Sequence, residues 1–232
     1  MDRNFKVRVL VGVGMFVVSL LGICAFDAVP FKIMYTIFSL VAMIELFSFL
    51  KHGATAPRVA LVILEAVFLI CGVIFVARTD QQYFWYIILG VPGYDVFAYF
   101  FGKSIGGKIF KKSRPFPKIS KNKTWEGTIF GLLISILMVV GLMATRGDFK
   151  TDWMYLLCSP LALLGDLFES YVKRKFKVKD SNEIIIHDKW LGRVEILVGG
   201  SEGHGGFLDR SDSAAFTMTV LLIISYFTTS LR

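Results

Sequence analysis

The feature that most constrains this chain is a succession of continuous apolar runs, each about 18–22 residues long, the length of a membrane-spanning helix. In lipid, only helices and closed barrels satisfy the backbone internally. The runs are continuous rather than alternating in polarity, so they predict helices. Seven are expected, over 9–26, 31–50, 59–77, 82–101, 127–145, 153–170 and 213–231. The fold class is therefore all-α: a polytopic integral membrane protein of about seven transmembrane helices. A buried helix in a soluble core accounts for one such run, not for seven in 232 residues that are 55% hydrophobic. The first run follows Arg3, Lys6 and Arg8 and could be taken for a signal peptide. It lacks a small-x-small cleavage site and reads as a retained span.

Basic residues set the orientation. They concentrate at the N-terminus and in the 51–58, 102–126 and 171–212 loops, whereas the intervening loops are short and balanced. Every second loop is basic, which predicts an inner (plasma) membrane protein with these loops in the cytoplasm. The net charge of +8 then reflects orientation and contact with anionic lipid headgroups, and calls for no nucleic acid. Cys24, Cys71 and Cys158 all fall inside apolar runs, far apart and without a Cys-x-x-Cys, so neither a disulfide framework nor zinc is implied. His52, His187 and His204 lack the spacing of a zinc site.

The polar residues cluster. The 102–126 loop carries Lys103, Lys108, Lys111, Lys112, Arg114, Lys118, Lys121 and Lys123 before its first acid, Glu126. Headgroup attraction explains much of that. "GKSIGGK" also sets flexible glycines beside lysines, as phosphate binding requires, although it lacks the P-loop spacing. Just upstream, Pro92 and Gly93 are expected to break or kink the fourth span, with Asp95 directly after the break. A carboxylate at the centre of a span costs about 2.5–3.5 kcal/mol on insertion scales, so Asp95 is a site candidate rather than filler. Glu45 and Glu65 also lie within spans. They read as structural, either pairing with a base or facing the same cavity. Asp166 and Glu169 stand one helical turn apart on a face that leads to Lys173 and Arg174.

The last basic loop mixes charges: Lys173, Arg174, Lys179 and Arg210 with Asp180, Asp209 and Asp212. Asp209 and Asp212, at i and i+3, share one face of a helical start. Hard cations such as Mg²⁺ take carboxylate oxygens, keep several waters and bridge to substrate phosphates. Gly205 and Gly206 allow close backbone approach to a phosphate. His204 can donate to a phosphate or carry a proton.

At these residues the sequence resembles the CDP-diacylglycerol synthase (phosphatidate cytidylyltransferase) family. Ser170, Lys173, Arg174, Lys179 and Asp180 fit one half of the family pattern; His204, Gly205, Gly206, Phe207, Asp209, Arg210 and Asp212 fit the other. "YDVFAYFFGKSIGGK" and "SKNKTWEG" look like its central segments, and the likeness runs from about Gly90 onward. Ser211 replaces an apolar residue, Glu202 replaces a proline, and the stretch between Asp180 and His204 is much longer than the family's. Removing 184–199 would restore the family spacing. That stretch is expected to be an excursion from the site's perimeter, since lengthening a loop costs only about 0.6 kcal/mol per doubling.

The resemblance implies transfer of a cytidylyl group from CTP to phosphatidic acid. It implies a single membrane domain over 1–232, with N-terminal helices in 1–80 and a catalytic part in 82–232 that uses the 102–126 and 171–212 loops. It implies Mg²⁺ on Asp180, Asp209 and Asp212. Lys173, Arg174, Lys179, Lys123 and Arg210 would hold phosphates, His204, Gly205 and Gly206 would shape the phosphate loop, and Asp95 would be a further site acid. Membrane lipids are partners, and a homodimer is compatible with it. Two other readings of the residues stand beside this one. One is a CTP-dependent polyprenol or phytol kinase; the other is a non-catalytic transporter or lipid-binding protein.

Overall fold

The computed structural model describes residues 29–111, 114–147, 149–178 and 208–230. The first expected span and the 184–199 stretch lie outside them. The described residues form α1 (Val29–Ser48) with a 3-10 turn at Phe49–His52, α2 (Ala56–Arg78), α3 (Gln81–Ser104) and α4 (Trp125–Arg146). These are followed by a one-turn α5 (Phe149–Asp152), a 3-10 turn (Trp153–Leu157), α6 (Cys158–Phe176) and α7 (Leu208–Ser230). Among the described residues, five helices are long and apolar enough to cross a membrane: Phe31–Lys51, Ala56–Arg78, Gln81–Ser104, Trp125–Arg146 and Ser211–Thr228. The protein is an all-α, multi-pass membrane protein. Its outward faces are apolar at helical spacing, as lipid contact requires. On α1 that stripe is Ile33, Ile37, Leu40, Ile44 and Phe47.

Two expectations need correction. The 153–170 run does not form one apolar span. It begins as the 3-10 turn, and the helix then continues through Lys173, Arg174 and Lys175 to a left-handed cap at Lys177. The resulting α6 carries Asp166, Glu169 and three terminal cations, so it lacks the composition of the other five. Nor do Pro92 and Gly93 break α3, which is continuous from Gln81 to Ser104. Proline removes one backbone hydrogen bond, but neighbouring helices can keep the segment helical through it. Here α3 is gripped on both sides. A Cβ at Gly90 would stand 2.3 Å from Cys158 Cβ on α6, and one at Gly93 would be 3.9 Å from Ser135 Cβ on α4.

The α3–α4 seam is built from small residues, which let helix backbones approach in a membrane. A Cβ at Gly131 would lie 2.8–2.9 Å from the Cβ, Cα and N of Ala98; one at Gly127 would lie 2.5 Å from the Ala98 carbonyl oxygen. α4 starts cleanly because the Thr124 hydroxyl accepts from the Gly127 N–H at 3.1 Å. It stops at Gly147, in the left-handed region at φ +77°. At the Arg78–Asp80 end, Tyr86 donates to Asp152 Oδ2 at 2.7 Å, and Tyr155 stacks on both Tyr83 and Tyr86. Arg146 lies 5.1 Å from the Tyr86 ring and donates to the Gln82 carbonyl. These contacts hold α3, α4, α5 and the 3-10 turn together at one end; the cavity lies toward the other.

The seam makes a paired prediction. Gly131→Ala must push backbone against backbone and should destabilise the protein by about 1–3 kcal/mol. Gly141→Ala, whose Cβ meets nothing within 4 Å, should be neutral or stabilising. Thermal unfolding in detergent separates the two.

Candidate functional site

The cavity holds about 580 Å³. It lies between the second half of α3, the loop from 105 to 124, the first turn of α4 and α6. Tyr94, Asp95, Tyr99 and Lys103 face it from α3, Arg114, Asn122 and Lys123 from the loop, and Asp166 from α6. The loop owes its shape to "TWEG". Glu126 is fully buried in the first turn of α4, and its Oε1 accepts from the Ile109 and Phe110 N–H groups at 3.0 Å each. Arg114 closes the far side by donating to the Asn122 carbonyl at 3.3 Å. Gly102 and Gly106 line the cavity, and packing already demands that they be small. A Cβ at Gly106 would collide with the Gly102 carbonyl at 2.0 Å and with Thr124 Cγ2 at 2.8 Å.

Lys123 occupies the centre. Its ammonium pairs with Asp166, donates to Tyr94 Oη at 3.4 Å and lies 5.4 Å from that ring's centroid. Burial disfavours its charge, but Asp166, Tyr94 and Asp95 outweigh that and hold its pKa above the ordinary lysine value.

A second cluster adjoins the first along α6. Lys173 Nζ pairs with Glu169 Oε2 at 2.6 Å and with Asp209 Oδ1 at 2.5 Å, tying α6 to the start of α7. Here too burial opposes the ammonium, and Glu169 and Asp209 raise its pKa beyond the usual range. Asp212, one turn on, is buried, and its Oδ1 accepts the Ser213 N–H at 2.6 Å. The two clusters share α6, which carries Asp166 of the first and Glu169 and Lys173 of the second. Gly165 lets α6 and α7 touch there, since a Cβ would be 2.8 Å from Ser213 Cα.

Of the residues expected from sequence, Asp95 and Lys123 line the cavity, and Lys173, Asp209 and Asp212 form the adjoining cluster. Arg174 is exposed on the last turn of α6 and is not part of the cavity lining. Lys179, Asp180, His204, Gly205 and Gly206 lie outside the described residues, as does the side chain of Arg210. Among the described residues no three His, Cys, Asp or Glu side chains converge as a metal site. The carboxylates of Asp95, Asp166, Glu169, Asp209 and Asp212 nevertheless outnumber the two lysines among them, and Glu169 Oε1 has no hydrogen-bond partner. Sequence reasoning gave no site role to Tyr94, although it opens the quoted "YDVFAYFFGKSIGGK" segment, or to Arg114, named only as one of the loop's basic residues, and it left Asp166 and Glu169 without a role although their spacing marked a shared face.

With both lysines raised above the unfolded value of about 10.4, their ion pairs stabilise the fold fully below that pH and are lost only as pH climbs through the folded values. Between about pH 6 and 9 titration of the two ammonium groups themselves should therefore contribute no pH dependence. Competitive acylation at about pH 8.5 should modify the exposed Lys118 and Lys121 well before Lys123 and Lys173, because only the neutral amine reacts.

Comparison with known proteins gives this geometry a family. The profile of the cytidylyltransferase family matches residues 78–187, from the end of α2 through the cavity, α6 and beyond. The chain is 39% identical over 132 residues to a phosphatidate cytidylyltransferase of Rickettsia felis, covering 52% of this chain and 51% of that protein. It is 36% identical over 146 residues to one of Helicobacter pylori, covering 62% and 46%. With one of Bacillus subtilis it shares 30% identity over 204 residues, covering 83% and 68%. The chain thus spans about half the length of the first two relatives and two thirds of the third. No solved structure matches. On the strength of the profile and of the long match to the Bacillus subtilis protein, the chain belongs to the cytidylyltransferase family.

Proposed function

We propose that the protein transfers a cytidylyl group from CTP to phosphatidic acid, releasing pyrophosphate and leaving CDP-diacylglycerol in the membrane. The observation that carries this reading is the cavity itself. It lies at the basic end of the α3–α4 pair, is lined by cations and carboxylates together, and belongs to a protein whose outer faces suit lipid. Both substrates are polyanions, and their mutual repulsion is the main barrier.

In this reading a phosphate oxygen of the lipid attacks the α-phosphorus of CTP in line with the departing pyrophosphate. The new P–O bond forms as the bond to the β-phosphate's bridging oxygen breaks, so no nucleophilic side chain is needed. Lys103, Arg114 and Lys123 face the cavity and would hold phosphate oxygens. Lys123 remains charged throughout and offsets negative charge on the transferring group. Tyr94 and Asp166 orient its ammonium. Lys173 fixes α7 relative to α6 and so sets where Asp209 and Asp212 stand.

The donor set suits Mg²⁺, which takes one or two carboxylates plus waters and substrate phosphates rather than a full protein cage. The local excess of carboxylate over ammonium is what a divalent cation would offset. Asp209 and Asp212, with Asp180, would hold it, and when bound it would neutralise phosphate charge and polarise the reacting phosphoryl group. The basic loops are proposed to face the cytoplasm at the inner membrane, where CTP is available.

Four outcomes are expected. Purified protein given labelled CTP, phosphatidic acid and Mg²⁺ should place label in the lipid phase and release pyrophosphate. Release of CDP would instead mean phosphoryl transfer, and no CTP dependence would mean a non-catalytic protein. Lys123→Met should lower kcat by about 10²–10³, the usual loss for one preorganised electrostatic donor. Asp209→Asn should remove most turnover while the protein remains folded. For orientation, a cysteine introduced as Lys121→Cys in a cysteine-free background should resist an impermeant reagent in intact cells; labelling there would reverse the topology.

A further inference from the structure

The family profile begins at residue 78, so α1 lies outside the profile's match. Yet α1 reaches the site through one fully buried residue. Glu45 Oε2 accepts the backbone N–H of Leu208 at 3.0 Å, a bond that joins residues 163 apart. Leu208 is the first residue of α7, and the first N–H groups of a helix have no partner within the helix. A carboxylate supplies that partner well, because it meets both the free donor and the positive end of the helix dipole.

The surroundings make this placement costly, since Ala42 and Leu46 of α1 and Phe49 of the turn after it pack with Leu208, Val172 and Phe176 in one apolar cluster. An apolar residue at 45 would fill that cluster more cheaply. What it could not do is fix direction. Apolar packing lets α7 slide or rotate by small amounts, whereas a hydrogen bond to the first amide of the helix sets where it begins.

The next residue is Asp209, paired with Lys173, and one turn later stands Asp212. We infer that Glu45 is a positioning residue. By capping α7 from α1, it holds Asp209 and Asp212 in register with Lys173 and with the cavity. α1 is then a working part of the site and not only a membrane anchor. The inference rests on the proposed reaction for its kinetic consequence, but the structural claim stands apart from it.

The test compares Glu45→Gln, which keeps the acceptor and the volume, with Glu45→Met, which keeps the volume alone. Displacement of reacting groups by about 1 Å can cost some 10²-fold. Glu45→Met should therefore lower kcat by about 10- to 100-fold while KM for CTP stays within about threefold, and Glu45→Gln should restore kcat to within about threefold of the parent. Amide hydrogen exchange across 208–212 should speed up in Glu45→Met and not in Glu45→Gln, with exchange in α4 unchanged in both. Parental kcat in the Met variant, or equal losses in the two variants, would overturn the inference. If the parent itself shows no CTP-dependent turnover, the cytidylyl-transfer reading fails. The exchange data then decide alone, and unchanged exchange at 208–212 in Glu45→Met would sink the positioning role.

Discussion

Lys173 is the tie on which the arrangement of the polar end depends. It bridges a carboxylate on its own helix, Glu169, and one on the first turn of α7, Asp209. Ion pairs buried this deeply are poor sources of net stability, because desolvation consumes much of the attraction. Their value lies in direction. An ammonium held between two carboxylates from different helices leaves few relative rotations of α6 and α7 that keep all three groups paired. Removing one partner leaves an uncompensated charge in a nearly dry place. The other elements fit around this tie: Gly165 permits the close approach of α6 to α7 at Asp212 and Ser213.

The same logic recurs at Lys123, where a loop cation is drawn in against Asp166 and Tyr94. Two lysines on different segments thus sit beside a larger set of acids. The excess of carboxylate lies in the adjoining α6–α7 cluster, whereas the cavity's own lining adds Lys103 and Arg114 to Lys123 and so holds more cations than acids.

Much of this was legible in the sequence, for reasons that can be named. Run length alone located α1, α2, α3, α4 and α7, because lipid imposes a length on any helix that crosses it. Asp95 stood out because an acid in an apolar run has no cheap explanation. Lys173, Asp209 and Asp212 were found by motif. Where the reading failed, tertiary contacts had overridden a local rule. Pro92 was expected to break or kink α3, and the break does not occur: the helix runs on through it, with Gly90 against Cys158 and Gly93 beside Ser135. The 153–170 run looked like a span because its apolar residues were read without the charged turn that extends the same helix. Glu45 was seen and left undecided, since its partner is a backbone amide 163 residues away. No spacing rule connects the two.

The Glu126 clasp has a thermodynamic consequence. Long basic loops usually bind anions at the expense of their own freedom, since ordering a loop costs conformational entropy that the ligand must overcome. In this protein the stretch after α3 is tied at Ile109 and Phe110 to the first turn of α4, and Arg114 is tied to Asn122. Much of that ordering has therefore been completed during folding. A phosphate that reaches Arg114 and Lys123 meets cations already in place, and more of the attraction between them can appear as affinity.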